Sequence, residues 1–177
     1  MSGSSTSLWA SDDAYDKYMG RWSRRIAPHF LDWLSISPEA KWIDIGCGTG
    51  VLSSTILARC MPSSVVGIEP SGVFVAAARA QIRDPRFLCE QGDAESLSFG
   101  DGEFSVAVSG LVLNFVRDKN KAVAEMKRVV SPGGSVASYV WDYAGHMQIM
   151  RYFFDTASEL DDRAKEFDDG IKAPICR

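Results

Sequence analysis

The chain has 177 residues, 46% of them hydrophobic and 24% charged, and a net charge of −4. That is about one domain's length with enough apolar content for a core, and its acidic balance argues against holding a nucleic-acid backbone by charge. No apolar stretch approaches the ~20 residues of a membrane helix, and Cys47, Cys60, Cys89, Cys176, His29 and His146 form no C-x-x-C pair and no zinc spacing.

Residues 1–11 are rich in Ser and Gly and lack the basic and apolar regions of a signal peptide, so they read as a disordered leader. A single domain is expected over 12–177, in the cytoplasm, with buried and reduced thiols. Asp12 or Asp13 is placed to cap a short helix through 14–19, which Gly20 interrupts. Trp22, Ile26, Phe30 and Trp33/Leu34 then recur at helical spacing. Pro28 falls inside that pattern and either kinks the helix or divides it. The segment ends by Pro38.

The first strand is expected at 41–45, followed by a helix at about 50–60 that stops before Pro62. Val65 to Glu69 is the second strand. Pro70-Ser71-Gly72 is a turn, with Ser71 as N-cap of a helix from Val73 to Ile82. Arg86 to Glu90 is the third strand and Phe104 to Ser109 the fourth, with an Asp101-Gly102 turn before it. Lys119 to Val130 has an apolar face of Ala122, Val123, Met126 and Val129, as a surface helix does. Ser131-Pro132-Gly133-Gly134 is a stop and turn. Ser135 to Trp141 is the fifth strand, and a last amphipathic helix spans about 147–160. Strands alternating with helices at this spacing predict an α/β fold with a Rossmann-like, doubly wound, mostly parallel sheet.

The run Asp44-Ile45-Gly46-Cys47-Gly48-Thr49-Gly50 joins the first strand to its helix. Such a glycine turn lets a ligand approach the backbone and points helix N–H groups at it. A dinucleotide fingerprint places its third glycine one residue later, where this chain has Val51.

The acid and the glycine spacing resemble motif I of the class I S-adenosylmethionine (SAM)-dependent methyltransferases, D-x-G-x-G-x-G. Gly67-Ile68-Glu69-Pro70-Ser71, Gly92-Asp93-Ala94-Glu95, the strand 104–109 and the run from Glu125 to Gly134 continue the match in order. From about Tyr15 to Trp141 the chain resembles the small-molecule branch that includes the ubiquinone/menaquinone C-methyltransferases.

The resemblance implies SAM as cofactor and the sheet order 3-2-1-4-5. It implies Gly46, Cys47, Gly48 and Gly50 as the cofactor turn and Glu69, with Pro70 beside it, as acceptor for ribose hydroxyls. Asp93 and Ala94 fall where the family meets the adenine edge. Asp44 orders the turn or a water near the methionine amine. Ser109, Gly110 and Leu111 fall where backbone carbonyls meet the methionine ammonium. The segment from Tyr15 to Trp22 lies over the cofactor in relatives, with Tyr15 or Trp22 facing the sulfonium and Arg21 pairing with the carboxylate; a core helix burying Trp22 is the alternative. Asn114 and His146 are the nearest candidates for a base, and no catalytic residue is assigned.

The family sheet has seven strands, and the residues after Trp141 are too few for a helix and the last two. The expected activity is methyl transfer to a small-molecule acceptor by in-line displacement, with no nucleic-acid or membrane partner. The alternatives are a SAM-binding but inactive truncated module and, more distantly, a nicotinamide-dependent reductase. An unpaired fifth-strand edge predicts self-association.

Overall fold

A computed structural model describes residues 20–172. The expected leader 1–11, the helix at 14–19, Tyr15 and Cys176 lie outside the described residues. The elements run α1 (Arg21–Leu34), β1 (Lys41–Ile45), α2 (Val51–Arg59), β2 (Ser64–Glu69), α3 (Gly72–Gln81), β3 (Phe87–Gln91), β4 (Phe104–Gly110), α4 (Lys119–Val129) and β5 (Val130–Tyr139). They continue with α5 (Gln148–Leu160), a 3-10 helix (Asp162–Phe167) and α6 (Asp169–Lys172). All five strands are parallel, in the order 3-2-1-4-5.

β1 is central, and its residues Trp42, Ile43 and Ile45 are fully buried. Burial on both faces explains why β1 and β4 read as nearly continuous apolar runs rather than alternating ones. On one face, Phe30 and Leu31 of α1 and Leu52 and Ile56 of α2 pack on Trp42, Val106 and Val108. On the other, Met126 and Val129 of α4 pack on Ile43, Ile45, Phe104 and Ala107. Each such side chain removed from water contributes roughly 1.5–3 kcal/mol before entropy is counted.

One alternative falls and one expectation changes. Pro28 does not divide the first helix, which runs as one 14-residue element through it. Its buried face is Ala27, Phe30 and Leu31, while Trp22 is partly exposed and Trp33 is 73% exposed. The apolar stripe is therefore offset from the tryptophans, and Trp22 lies instead beneath the guanidiniums of Arg21 and Arg25.

The Ser131–Gly134 stop is also not a free turn. β5 starts at Val130, opposite Phe104, and the next paired residue is Ser135, opposite Val106. The intervening residues form an irregularity in the strand, with Gly133 at φ +84°. A Cβ on Gly134 would lie 2.4 Å from the Ser105 carbonyl, so only glycine allows that approach.

Candidate functional site

The glycine turn sits at the carboxyl end of β1, where open α/β sheets bind ligands. The N–H groups of Gly46 and Cys47 donate to the Ile68 carbonyl at 2.7 and 3.0 Å and tie the turn to β2. Gly46 and Gly50 have φ of +74° and +90°. A Cβ on Gly46 would lie 2.5 Å from the Val112 side chain, and one on Gly50 would lie 2.6 Å from Ile82. The third glycine thus belongs at position 50, where α2 starts against the end of α3. No side chain caps the α2 N-terminus, so its first N–H groups are available to a ligand.

Two buried carboxylates flank the turn. Glu69 accepts the Gly48 N–H on Oε2 and the Ser71 N–H on Oε1, both at 3.0 Å. Each oxygen keeps a further lone pair for a hydroxyl. Burial raises the Glu69 pKa, and the two backbone N–H groups oppose that rise. Asp44 is 1% exposed; its Oδ2 accepts the Ser53 hydroxyl at 2.7 Å, and its buried Oδ1 has no partner. Burial pushes its pKa up to about 7, with Ser53 opposing and the Glu69 charge adding to the rise.

Two clefts meet at Gly46. The first is lined by Gly20, Ser23, Asp44, Gly48, Gly110 and Tyr139, among others. The second holds about 290 Å³ and is largely apolar, with Ile68, Pro70, Asp93, Ala94, Val112 and Phe115 in its wall and Arg117 at its side. Glu69 lies between neighbours that line them: Gly48, on its Oε2, lines the first cleft, and the next residue, Pro70, lines the second.

Most of the expected site residues therefore converge, with some changes of part. Asp93 Oδ1 accepts the Glu95 N–H at 2.9 Å, so one oxygen already holds the turn. The Ser109 hydroxyl donates to the Ile45 carbonyl at 2.9 Å, and of the Ser109–Leu111 run it is Gly110 that lines the cleft beside Asp44. Leu111 takes a left-handed φ of +62°, and its N–H donates to the Tyr139 carbonyl. A left-handed leucine is strained, and such strain concentrates at binding sites. Arg21 is exposed, with its guanidinium 5.3 Å from the Trp22 ring. Asn114 is a backbone clamp: its Nδ2 donates to the Trp141 carbonyl and its Oδ1 accepts the Trp141 N–H. His146 is exposed on a loop.

Comparison with known proteins matches residues 43–138 to the methyltransferase domain family. That span covers the whole glycine turn and both carboxylates, and runs from within β1 almost to the end of β5. The chain belongs to the class I SAM-dependent methyltransferase family. It is 32% identical to trans-aconitate 2-methyltransferase of Deinococcus radiodurans over 70% of this chain and 46% of that one. It is 35% identical to a ubiquinone/menaquinone biosynthesis C-methyltransferase of Burkholderia cenocepacia over 61% of this chain and 47% of that one. The chain thus spans about half the length of these two relatives.

Among solved structures, a SAM-dependent methyltransferase from Mesorhizobium loti superposes with a TM-score of 0.60 at 26% identity, over 66% of this chain and 54% of that one. The methyltransferase solved with the Haloferax volcanii Trm112 activator gives 0.72 over 86% of this chain and 72% of that one. Its identity is 20%, a likeness of fold. The [4+2]-cyclase SpnF gives 0.61 at 26% identity, over 65% of this chain and 43% of that one.

In this chain, sequence reasoning missed Val112, Phe115, Val116 and Arg117 in the second cleft and Tyr139 in the first. The first four follow β4, and the rule that ligands sit beyond strand carboxyl ends was signal enough to include them. Tyr139 read as an interior strand residue. It ends β5, packs tilted against Phe30 with ring centroids 4.8 Å apart and sets its hydroxyl 2.5 Å from where a Gly110 Cβ would be.

Proposed function

We propose that this chain transfers a methyl group from SAM to a small-molecule acceptor by in-line displacement. The observation that carries this reading is a line of three environments. An apolar cleft by Asp93 and Ala94 suits adenine, and the Glu69 carboxylate suits a ribose diol. The polar cleft pairs the unpartnered Asp44 oxygen with the α2 N-terminus. SAM ends in an ammonium, a carboxylate and a sulfonium, and that cleft offers one group of each required sign. Gly46, Cys47, Gly48 and Gly50 would carry the backbone contacts, Gly110 and Leu111 would close the methionine end, and Tyr15 and Arg21 would belong to the covering segment.

When bound, SAM supplies a methyl group already activated by its sulfonium. The chain's own part is to orient the reactants and exclude water. Asn114 has both amide atoms on Trp141, His146 lies on an exposed loop, and neither lines the two clefts, so no base is assigned. The reading therefore favours acceptors that arrive as nucleophiles, such as carboxylates or ionised hydroxyls. The free thiols at Cys47, Cys60 and Cys89 support a cytoplasmic setting. Among the described residues no helix is long and apolar enough to cross a membrane.

Methyl-labelled SAM offered with a panel including trans-aconitate and demethylmenaquinone tests the proposal. Label should move to one acceptor class with equal release of S-adenosylhomocysteine. SAM binding without transfer to any acceptor would support the second reading, a SAM-binding protein of other chemistry, which the likeness to a [4+2]-cyclase favours.

A further inference from the structure

Cys47 and Cys89 are 42 residues apart in sequence, and the fold brings their sulfurs to 3.6 Å. Both are free thiols, 7% and 1% exposed. The backbone holds them from several sides. Cys47 lies on the glycine turn, with its N–H on the Ile68 carbonyl. Cys89 lies on β3 directly beside Gly67 of β2. A Cβ on Gly67 would lie 2.7 Å from the Cys47 sulfur, so Cys47 fills the space that a side chain there would take. Arg79 fixes β3 at this point by donating twice to the Cys89 carbonyl, at 2.9 and 2.6 Å. Val75 and Ala78 of α3 close over both sulfurs.

The described residues hold no group of three or more His, Cys, Asp or Glu suited to a metal ion. The hydrogen bond to Cys89, burial and the Asp44 carboxylate all push the Cys47 thiol up. The hydrogen bond to Cys47, helped by the Arg79 charge, lowers the Cys89 thiol, so Cys47 is the thiol that keeps its proton in the pair. Cys47 also lines the first cleft, so a small oxidant that enters there meets Cys47 before Cys89.

We propose that peroxide converts Cys47 and Cys89 to a reversible disulfide, and that this disulfide weakens SAM binding. The Cys47 sulfur attacks one oxygen of hydrogen peroxide and sheds its proton to the departing oxygen. The O–O bond breaks, a sulfenic acid forms, and the departing hydroxide leaves as water with the thiol proton. The Cys89 sulfur then attacks the Cys47 sulfur, and the sulfenic oxygen leaves as a second water with the Cys89 proton. The two sulfurs together lose two electrons and the peroxide gains them. A dithiol reductant reverses the change.

Bonding shortens the 3.6 Å separation to ~2.05 Å and draws Cys47 toward β3. The next residue, Gly48, holds Glu69 through its N–H, so the shift disturbs the ribose acceptor. SAM seated on the turn would in return cover Cys47. The inference rests on placing SAM on the Gly46–Gly50 turn, as proposed above.

The test treats the reduced full chain with hydrogen peroxide, with and without saturating SAM. A non-reducing digest should contain a peptide linking Cys47 to Cys89. It should be lost on dithiothreitol treatment, suppressed by SAM and absent from both Cys89→Ser and Cys89→Ala. The oxidised chain should bind SAM about tenfold more weakly, the scale of one hydrogen bond to a charged group. Cys60→Ser, in a separate cleft beside Ser35 and Met61, should change none of this. Oxidation of Cys47 to a sulfinic acid without the linked peptide would overturn the proposal, as would a linked peptide with unchanged SAM affinity. A reduced chain that binds SAM but never forms the link overturns the dithiol alone. A chain that forms the link but binds no SAM overturns the cofactor reading and the switch with it.

Discussion

Asp44 shows how one residue sets function against stability. Its ordinary pKa is 3.8, and in the fold it is about 7. The folded chain therefore holds that proton more tightly than the unfolded chain does. The stability linked to it is full below pH 4 and is lost as pH rises through 7. Glu69 shifts in the same direction. Glu125 and Asp84 shift the opposite way, each to about 2, so their stabilisation is lost only in strong acid. The melting temperature of the ligand-free chain should thus fall from pH 5 to pH 8. Asp44→Asn should remove much of that slope, because an amide carries no charge to bury, and should weaken SAM binding. Melting curves at several pH values, with and without SAM, check both; an unchanged slope would show that Asp44 is not the group responsible. Glu69→Gln keeps the shape of the side chain but removes its charge. Its SAM dissociation constant should rise about tenfold or more, since hydrogen bonds to a charged acceptor contribute roughly 1.5–3 kcal/mol. Calorimetry measures this, and an unchanged constant would take Glu69 off the ribose.

At the scale of elements, the strands were legible in the sequence, as were the Ser71 cap of α3 and the Asp101-Gly102 turn, but the course of α1 and the start of β5 were not. An apolar run bounded by glycine and proline is a local signal, and all five runs became strands. Pro28 could not be read, because packing of Phe30 and Leu31 on the sheet outweighs the hydrogen bond the proline removes. The start of β5 could not be read either, since it depends on the approach of Gly134 to the Ser105 carbonyl on another strand. The family likeness of the run from Glu125 to Gly134 has a physical reason. Arg128 donates to the Leu97 and Phe99 carbonyls and to Glu125 and Asp101, and Glu125 accepts the Leu97 N–H. Together they pin the loop before β4 to α4. Asn114 does the same for the segment after β5. Asn114→Ala leaves two backbone groups of Trp141 without that partner and should cost about 1–3 kcal/mol. Urea unfolding measures the loss. A change near zero would mean that the Trp141 backbone is held without Asn114.

At the scale of the molecule, the two edges of the sheet differ. Arg79 binds the Cys89 carbonyl on β3, which occupies a backbone acceptor of that edge strand. Among the described residues no strand pairs with the outer edge of β5. Val136 is exposed on β5, and Ile149, Tyr152, Phe153 and Leu160 of α5 are exposed as well. The chain should therefore self-associate at micromolar concentrations, and Val136→Lys with Phe153→Lys should reduce it; sedimentation across a concentration series checks this, and a monomer throughout would contradict it. The site as a whole was half legible. The motif residues carry their own spacing, so Asp44, Gly46, Gly48 and Glu69 could be named from it. The walls of the clefts, Val112, Phe115 and Tyr139, and the meeting of Cys47 with Cys89 are products of tertiary packing and have no local signature. These residues are expected to form a SAM site and not a dinucleotide site. Calorimetric titration of the purified chain with SAM and, separately, with NADH tests it most directly. Saturable SAM binding with a micromolar dissociation constant and no heat from NADH is the expected result; saturable NADH binding, or no SAM binding by the folded, reduced chain, would rule out a SAM site.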